Sequence, residues 1–298
     1  MNKTFLKALI GVNVLVAILF AVAWYFSEKI IYPKYRCNVK DHYFCKDPSE
    51  VGLKFEKVSL TTSDNLKLRS WFIPKENSEK VVLFVHGHGV TIHEGLKYAK
   101  AMHQAGFNLM YIELRGNSAP HGIVPYTMGD LERLDVKSAI DYLSKDKNFT
   151  RIGIYGISMG AATSIGAMSE DQRIKAGIFN SAFKNFEQQI TDVGKRDYSL
   201  PYIPLVWLSL RVAELRSGAD YSNLNIKQKI SKISPRPVFV IHSIGDDYID
   251  ISHGREIYES AKKPKESWFP DCPKHVREHV CNEKRAEAKV TGFFLKHL

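Results

Sequence analysis

Ser158 lies in the run Gly156-Ile157-Ser158-Met159-Gly160, a serine between two glycines where an apolar stretch gives way to a helical one. A serine hydroxyl is a poor nucleophile until a base removes its proton and a third group orients that base. The chain holds candidates for both roles. Asp246, Asp247 and Asp250 cluster in one short stretch, and His253, His275, His279 and His297 follow it. The chemistry of such a set is acyl transfer, with attack on a carbonyl, a covalent acyl intermediate and release by water. Each residue alone has a plainer reading, as a turn serine, a loop aspartate or a surface histidine.

The elements around Ser158 argue for the sharper reading. Arg151 to Tyr155 reads as a short strand, and a helix starts at Met159. A serine at the apex of a tight strand-to-helix turn has a strained backbone, and small flanking residues let the two arms pass closely. The helix N-terminus behind it favours developing negative charge. Upstream, Lys80 to Val85 is a continuous apolar run, the pattern of a buried central strand, and it ends in the flexible turn His86-Gly87-His88-Gly89. A helical stretch from His93 to Gln104 follows, then a strand from Phe107 to Leu114 and a helix spaced on Leu131, Leu134, Ala139, Ile140 and Leu143. Further strands read at Ile174 to Phe179, Pro237 to His242 and Glu266 to Phe269. Thr61 to Asn65 reads as a turn joining two early antiparallel strands at the sheet edge. This alternation predicts an α/β fold with a mostly parallel sheet flanked by helices. Ligands in such sheets bind at the carboxyl ends of the strands, where His86, Ser158 and the acids after Ile241 all fall.

Several ordered motifs now line up: His86-Gly87, Leu114-Arg115-Gly116, Gly129 with Glu132 and Asp135-Val136, Gly156 to Gly160, and Ile241-His242 followed by Gly245-Asp246. Together they resemble the α/β-hydrolase superfamily, and within it the Bem46-like branch of serine hydrolases, also described as X-Pro dipeptidyl-peptidase-like, over about residues 50 to 298. The resemblance implies the chain order nucleophile, acid, histidine. On that order Asp246 has the family spacing for the acid, with Asp247 and Asp250 close enough to be confused with it. His275 lies between the last strand and the final amphipathic helix, as in the relatives, and His279 is the runner-up. The family's oxyanion donors would be the backbone N–H groups of Met159 and His88. Glu113, Asn117, Asn180 and Ser243 depart from the usual residues of the family, which shapes the site without touching the nucleophile. His86, His88 and His93 invite a metal reading, but a hydrolytic zinc site needs three ligands and an open position. With a complete Ser–Asp–His set available, neither a metal nor a cofactor is expected.

From residues 184 to 232 the sheet-and-helix alternation breaks, which reads as a small helical cap over the pocket. Tyr198, Tyr202, Val206, Trp207 and Leu208 either line an acyl pocket or pack the cap onto the body; both readings stand.

Ala8 to Phe26 carries no charge, follows Lys3 and Lys7, and closes on Trp24-Tyr25. We read residues 1 to 26 as a single-span membrane anchor, 27 to 50 as a linker, and 51 to 298 as one hydrolase domain. The rival is a cleaved signal peptide ending at Ala21-Val22-Ala23, yet the apolar run continues past it to Phe26. Lys29, Lys34, Arg36 and Lys40 answer the N-terminal lysines, so charge does not favour export of the body. The cysteines point the other way. Two local pairs, Cys37 with Cys45 and Cys272 with Cys281, fit two disulfides in an oxidising compartment, and hence an extracytoplasmic domain, periplasmic or lumenal.

The net charge is +10, dense near Lys262-Lys263-Lys265 and Lys284-Arg285. No nucleic-acid motif accompanies it, and a solvated or lipid-facing surface accounts for it. The expected partners are therefore a small-molecule or lipid-like ester and the membrane; oligomeric state is not legible. Two function classes follow: a membrane-anchored serine hydrolase of carboxylic esters or thioesters, with amides less expected, or a non-catalytic scaffold on the same fold.

Overall fold

The computed structural model describes residues 3–33, 44–118 and 124–298. Its centre is an eight-stranded sheet in the order β1-β2-β4-β3-β5-β6-β7-β8. The strands are β1 (Glu56–Thr61), β2 (Lys67–Ile73), β3 (Lys80–Val85), β4 (Asn108–Ile112), β5 (Arg151–Ile157), β6 (Ile174–Asn180), β7 (Val238–Ile241) and β8 (Lys265–Trp268). β1 and β2 form the antiparallel edge, β2 meets β4 antiparallel, and every other pairing is parallel. β3 and β4 are buried along nearly their whole length, which is why they read as apolar runs without alternation.

Helices cover both faces. The C-terminal helix Glu283–His297 shows how they attach: Asn282 caps it by accepting the Arg285 N–H at 3.0 Å, and Ala286, Val290, Phe293 and Phe294 form its buried stripe. Between β6 and β7 the chain leaves the sheet for two main cap helices, Phe186–Tyr198 and Trp207–Ser217, with the short helix Ile226–Ile230 returning it.

The N-terminal helix Lys3–Ile31 is 29 residues long, with a mean hydropathy of 2.5 over its most apolar window, long and apolar enough to cross a membrane. It continues through residues 27 to 31, where the sequence suggested a linker. That segment, Ser27-Glu28-Lys29-Ile30-Ile31, holds neither Gly nor Pro, and Pro33 comes only after the last turn. Ala23, Ser27, Ile30 and Ile31 are its buried residues, spaced as one helical face. That face packs on the second cap helix. Arg216 of that helix donates to Ser27 Oγ at 2.7 Å, pairs with Glu28, and lies 3.9 Å over the Trp24 ring. The Cys272–Cys281 disulfide is present; Cys37, and with it the expected Cys37–Cys45 bond, lies outside the described residues.

Arg115 ties the early hairpin to the body. Its guanidinium grips Asp135 at 2.7 Å and reaches Asp64, in the β1–β2 turn, at 2.9 Å. Arg115 and Asp135 are buried, whereas Asp64 is 37% exposed. Arg115→Met leaves a buried carboxylate unpaired and should cost about 3–5 kcal/mol, whereas Asp64→Ala at the rim should cost about 1 kcal/mol or less. The shift of the urea midpoint at constant slope measures both.

Burial also fixes the protonation of several histidines. His242, His253 and His279 are buried, and desolvation holds each imidazole below its ordinary value, His279 at about 4. The unfolded chain then binds more protons than the folded one on the acid side. Stability should be fullest above the ordinary imidazole value of about 6.5 and should fall as pH drops from there toward 4, read as a decreasing thermal midpoint.

Candidate active site

Ser158 stands between β5 and the helix Met159–Glu170 with φ 54° and ψ −120°, a conformation that a non-glycine residue adopts only under constraint. Two glycines make room for it. A Cβ on Gly156 would lie 2.4 Å from the Gly160 carbonyl, and one on Gly160 would lie 2.3 Å from the carbonyls of Val85 and His86. The turn is pinned from both sides: the Ser158 N–H donates to the Asn180 carbonyl at 2.8 Å, and the Ser158 carbonyl accepts from Ala161 and Ala162. The side chain is thereby held at the carboxyl end of the sheet, 9% exposed.

The loops after β7 and β8 bring Asp246 and His275 to it. His275 Nε2 is 2.9 Å from Ser158 Oγ, and His275 Nδ1 is 2.7 Å from Asp246 Oδ2. The other Asp246 oxygen accepts the N–H groups of Tyr248 and Ile249 at 3.0 and 2.8 Å. Burial works to raise the Asp246 carboxyl, but the hydrogen bond and charge of His275, with His242 behind it, outweigh it and hold the group below the usual range. Asp247 has a separate place, accepting the His275 backbone N–H at 3.1 Å. Asp250 caps the helix Ile251–Ser260 through the Ser252 N–H.

The two loops are also joined to each other. Gly245 donates to the Cys272 carbonyl at 3.2 Å, Lys274 donates back to the Gly245 carbonyl at 2.8 Å, and Cys272–Cys281 closes the histidine loop with a Cα separation of 6.0 Å. His279 points elsewhere, into a buried site 5.1 Å from the Tyr98 ring. His253 accepts the Lys184 N–H, and His297 faces Glu266.

Around the serine, Met159 heads its helix, where first-turn N–H groups have no intrahelical acceptor. Gly87 packs against Ser158; a Cβ there would lie 3.2 Å from Ser158 Cβ. Its own N–H is taken by Glu94 Oε2 at 2.7 Å, so His88 is the next amide along the loop. The three histidines of this region face different partners. His86 accepts the Leu114 N–H at 3.0 Å, His88 Nε2 donates to the Ile30 carbonyl at 2.8 Å, and His93 Nε2 donates to the Lys46 carbonyl at 2.6 Å. Burial holds the His88 ring at about 4, hence neutral near pH 7.

Four participants escaped the sequence reading. Glu94 lies in the stretch read only as helical from His93 to Gln104; it fixes the loop beside Ser158, and burial pushes its carboxyl up. Asp247 was legible only as a rival to Asp246. Glu278 accepts from Tyr98 and Asn180, both at 2.8 Å, behind the strand end that supports Ser158. Ile30 touches the site through its carbonyl, and a backbone group leaves no mark in the sequence.

The family described as serine aminopeptidase, S33 matches residues 76–223. Among relatives, the chain is 25% identical to Bacillus subtilis YqkD over 96% of both chains, and 26% identical to Schizosaccharomyces pombe Bem46, covering 76% of this chain and 72% of that one. It is 23% identical to the Saccharomyces cerevisiae membrane protein YNL320W, over 90% of this chain and 88% of that one. Among solved structures, the Pyrococcus furiosus esterase Pf2001 superposes with a TM-score of 0.70 at 25% identity, covering 89% of this chain and 98% of the esterase. With its sheet order, its strained serine turn and these relatives, the chain belongs to the α/β-hydrolase superfamily and resembles its Bem46-like branch.

Proposed function

We propose that this protein is a membrane-anchored serine hydrolase that cleaves carboxylic esters or thioesters through an acyl-enzyme on Ser158. One observation carries the reading: Ser158 Oγ, His275 and Asp246 form a continuous relay at 2.9 and 2.7 Å. In this reading His275 Nε2 takes the hydroxyl proton as Oγ attacks the substrate carbonyl. The tetrahedral oxygen takes the N–H groups of Met159 and His88. His275 then passes the proton to the leaving alcohol or thiol. A water, deprotonated by the same ring, later releases the acid and frees Ser158. Asp246 stays ionised, orients the ring and stabilises its charged form. The apolar N-terminal helix supports single-pass anchoring, and the Cys272–Cys281 bond supports an extracytoplasmic catalytic domain.

A fluorophosphonate probe should label the full-length protein. Ser158→Ala should abolish labelling and lower ester turnover by about 10⁴-fold or more, with little change in thermal midpoint. His275→Ala and Asp246→Asn should each cripple turnover, and adding either to Ser158→Ala should cost little further. Undiminished labelling of Ser158→Ala would exclude the assignment.

The disulfide offers a second test. Its loop is short, so closure contributes about 2.7 kcal/mol at most, by chain entropy. Holding His275 in reach of Ser158 matters more, because small displacements of a catalytic group cost rate steeply. The Cys272→Ser/Cys281→Ser pair should lower kcat by a larger factor than its loss of stability accounts for at the assay temperature. Equal kcat for the pair and the unaltered protein would show that the loop holds its shape without the bond.

A further inference from the structure

We propose that the cavity between the N-terminal helix and the cap is the acyl-chain subsite for Ser158, and that it fills from the bilayer. This deepens the hydrolase reading and rests on it. The cavity has a volume of about 220 Å³; Phe26 and Ile30 of the N-terminal helix line it together with Ile190 and Val193 of the first cap helix. Lys29 and Asp197 also line it, and both are exposed, so they mark its solvent side. A space below the roughly 300 Å³ of common ligand pockets, walled by aliphatic and aromatic side chains, suits one unbranched chain.

Two lining residues connect it to the chemistry. His88 directly follows Gly87, which packs on Ser158, and Tyr248 stands with its ring 5.4 Å from His275. The cavity thus borders residues next to the serine and the base without including either, and in this proposal an acyl chain held there directs its carboxyl end toward them.

Two more observations set where the chain comes from. Phe26 ends the uncharged run that begins at Ala8, and Ile30 is one turn further, about 6 Å along the axis. The cavity thus sits where the helix leaves the hydrocarbon. Beside it the cap leaves Tyr198, Ile203 and Trp207 exposed at 52, 64 and 43%. Tyr198 packs edge-on against Phe26 at 4.9 Å, so this apolar surface is continuous with the membrane-spanning one. The bilayer that receives the helix is the occupant that covers both.

The test uses full-length protein in phosphatidylcholine vesicles with 4-methylumbelliferyl acetate and palmitate. Val193→Trp, which fills the cavity, should lower the palmitate-to-acetate ratio of kcat/KM by about tenfold or more. Palmitate placed in the protein's own vesicles should be hydrolysed about fivefold faster or more than palmitate in separate, protein-free vesicles, because the shared membrane raises its effective concentration. An unchanged ratio in Val193→Trp overturns the subsite, and equal rates from the two vesicle populations overturn filling from the bilayer. Ile190→Phe, a smaller change on the same wall, and the vesicle comparison decide the matter if Val193→Trp does not fold. Acetate turnover with Ser158 labelling, but without these effects, leaves the hydrolase reading standing and removes the subsite alone. Turnover of neither ester removes both.

Discussion

The site depends on a backbone conformation at one residue. Ser158 at φ 54° is held in a region that costs about 1–3 kcal/mol for a residue with a side chain. The surroundings impose it. β5 must end against β3 and β6 in register, the next helix must start at once, and the crossing leaves no volume for a Cβ at Gly156 or Gly160. Asn180, at the end of β6, supplies the carbonyl that fixes the Ser158 N–H. The strain is thus a product of sheet order. Once the hydroxyl is fixed, strand ends at the same edge of the sheet can reach it: the loop after β3 packs Gly87 against it, and the loops after β7 and β8 bring Asp246 and His275.

That dependence explains what could be read from the chain. The glycines, the apolar runs and the order of motifs are local consequences of the turn and the sheet, so β3, β5, β6 and β7 were legible to within one or two residues. Ser158, Asp246 and His275, which meet in the structure, could be proposed together because their order along the chain follows the order of strands. The choice of His275 over His279 rested on its place between the last strand and the final helix, as in the relatives. In space the two differ by what surrounds them: one faces Ser158, the other is enclosed beside Tyr98. Glu94, Glu278 and the Ile30 carbonyl act through contacts between distant segments, which periodicity does not encode. The continuation of the N-terminal helix to Ile31 was missed for a related reason. Its last turns are polar enough to resemble a linker until the cap supplies a partner face.

The departures from the usual family residues have places in this network. Glu113 pairs with Arg69 at 2.6 Å and lies 3.4 Å from His86, while Asn117 reaches the Val90 carbonyl and Glu113. They brace the loop that carries His88 from below. Asn180 donates to Tyr155 and Glu278, joining the strand under Ser158 to the segment that follows His275. Burial raises the Glu278 carboxyl, yet Lys97 and the donors around it more than offset this and keep it ionised. Glu113, Asn117 and Asn180 thus each make polar contacts around the site, and Ser158, His275 and Asp246 keep theirs.

The end of the N-terminal helix carries a mechanical consequence. Its last carbonyls, which a helix leaves without partners, are taken up by the body: Ile30 by His88 and Ile31 by the Tyr126 N–H at 2.9 Å. With Ala23, Ser27, Ile30 and Ile31 packed as well, no joint separates the helix from the domain. Its uncharged stretch, Ala8 to Phe26, extends about 28 Å, close to a hydrocarbon thickness of about 30 Å. In a bilayer, a helix of this kind answers changes in thickness by tilting. A free tether would absorb that tilt. Here the lean of the rod would be transmitted to the whole body, so lipid length and sterol content would set the angle at which the cap meets the surface.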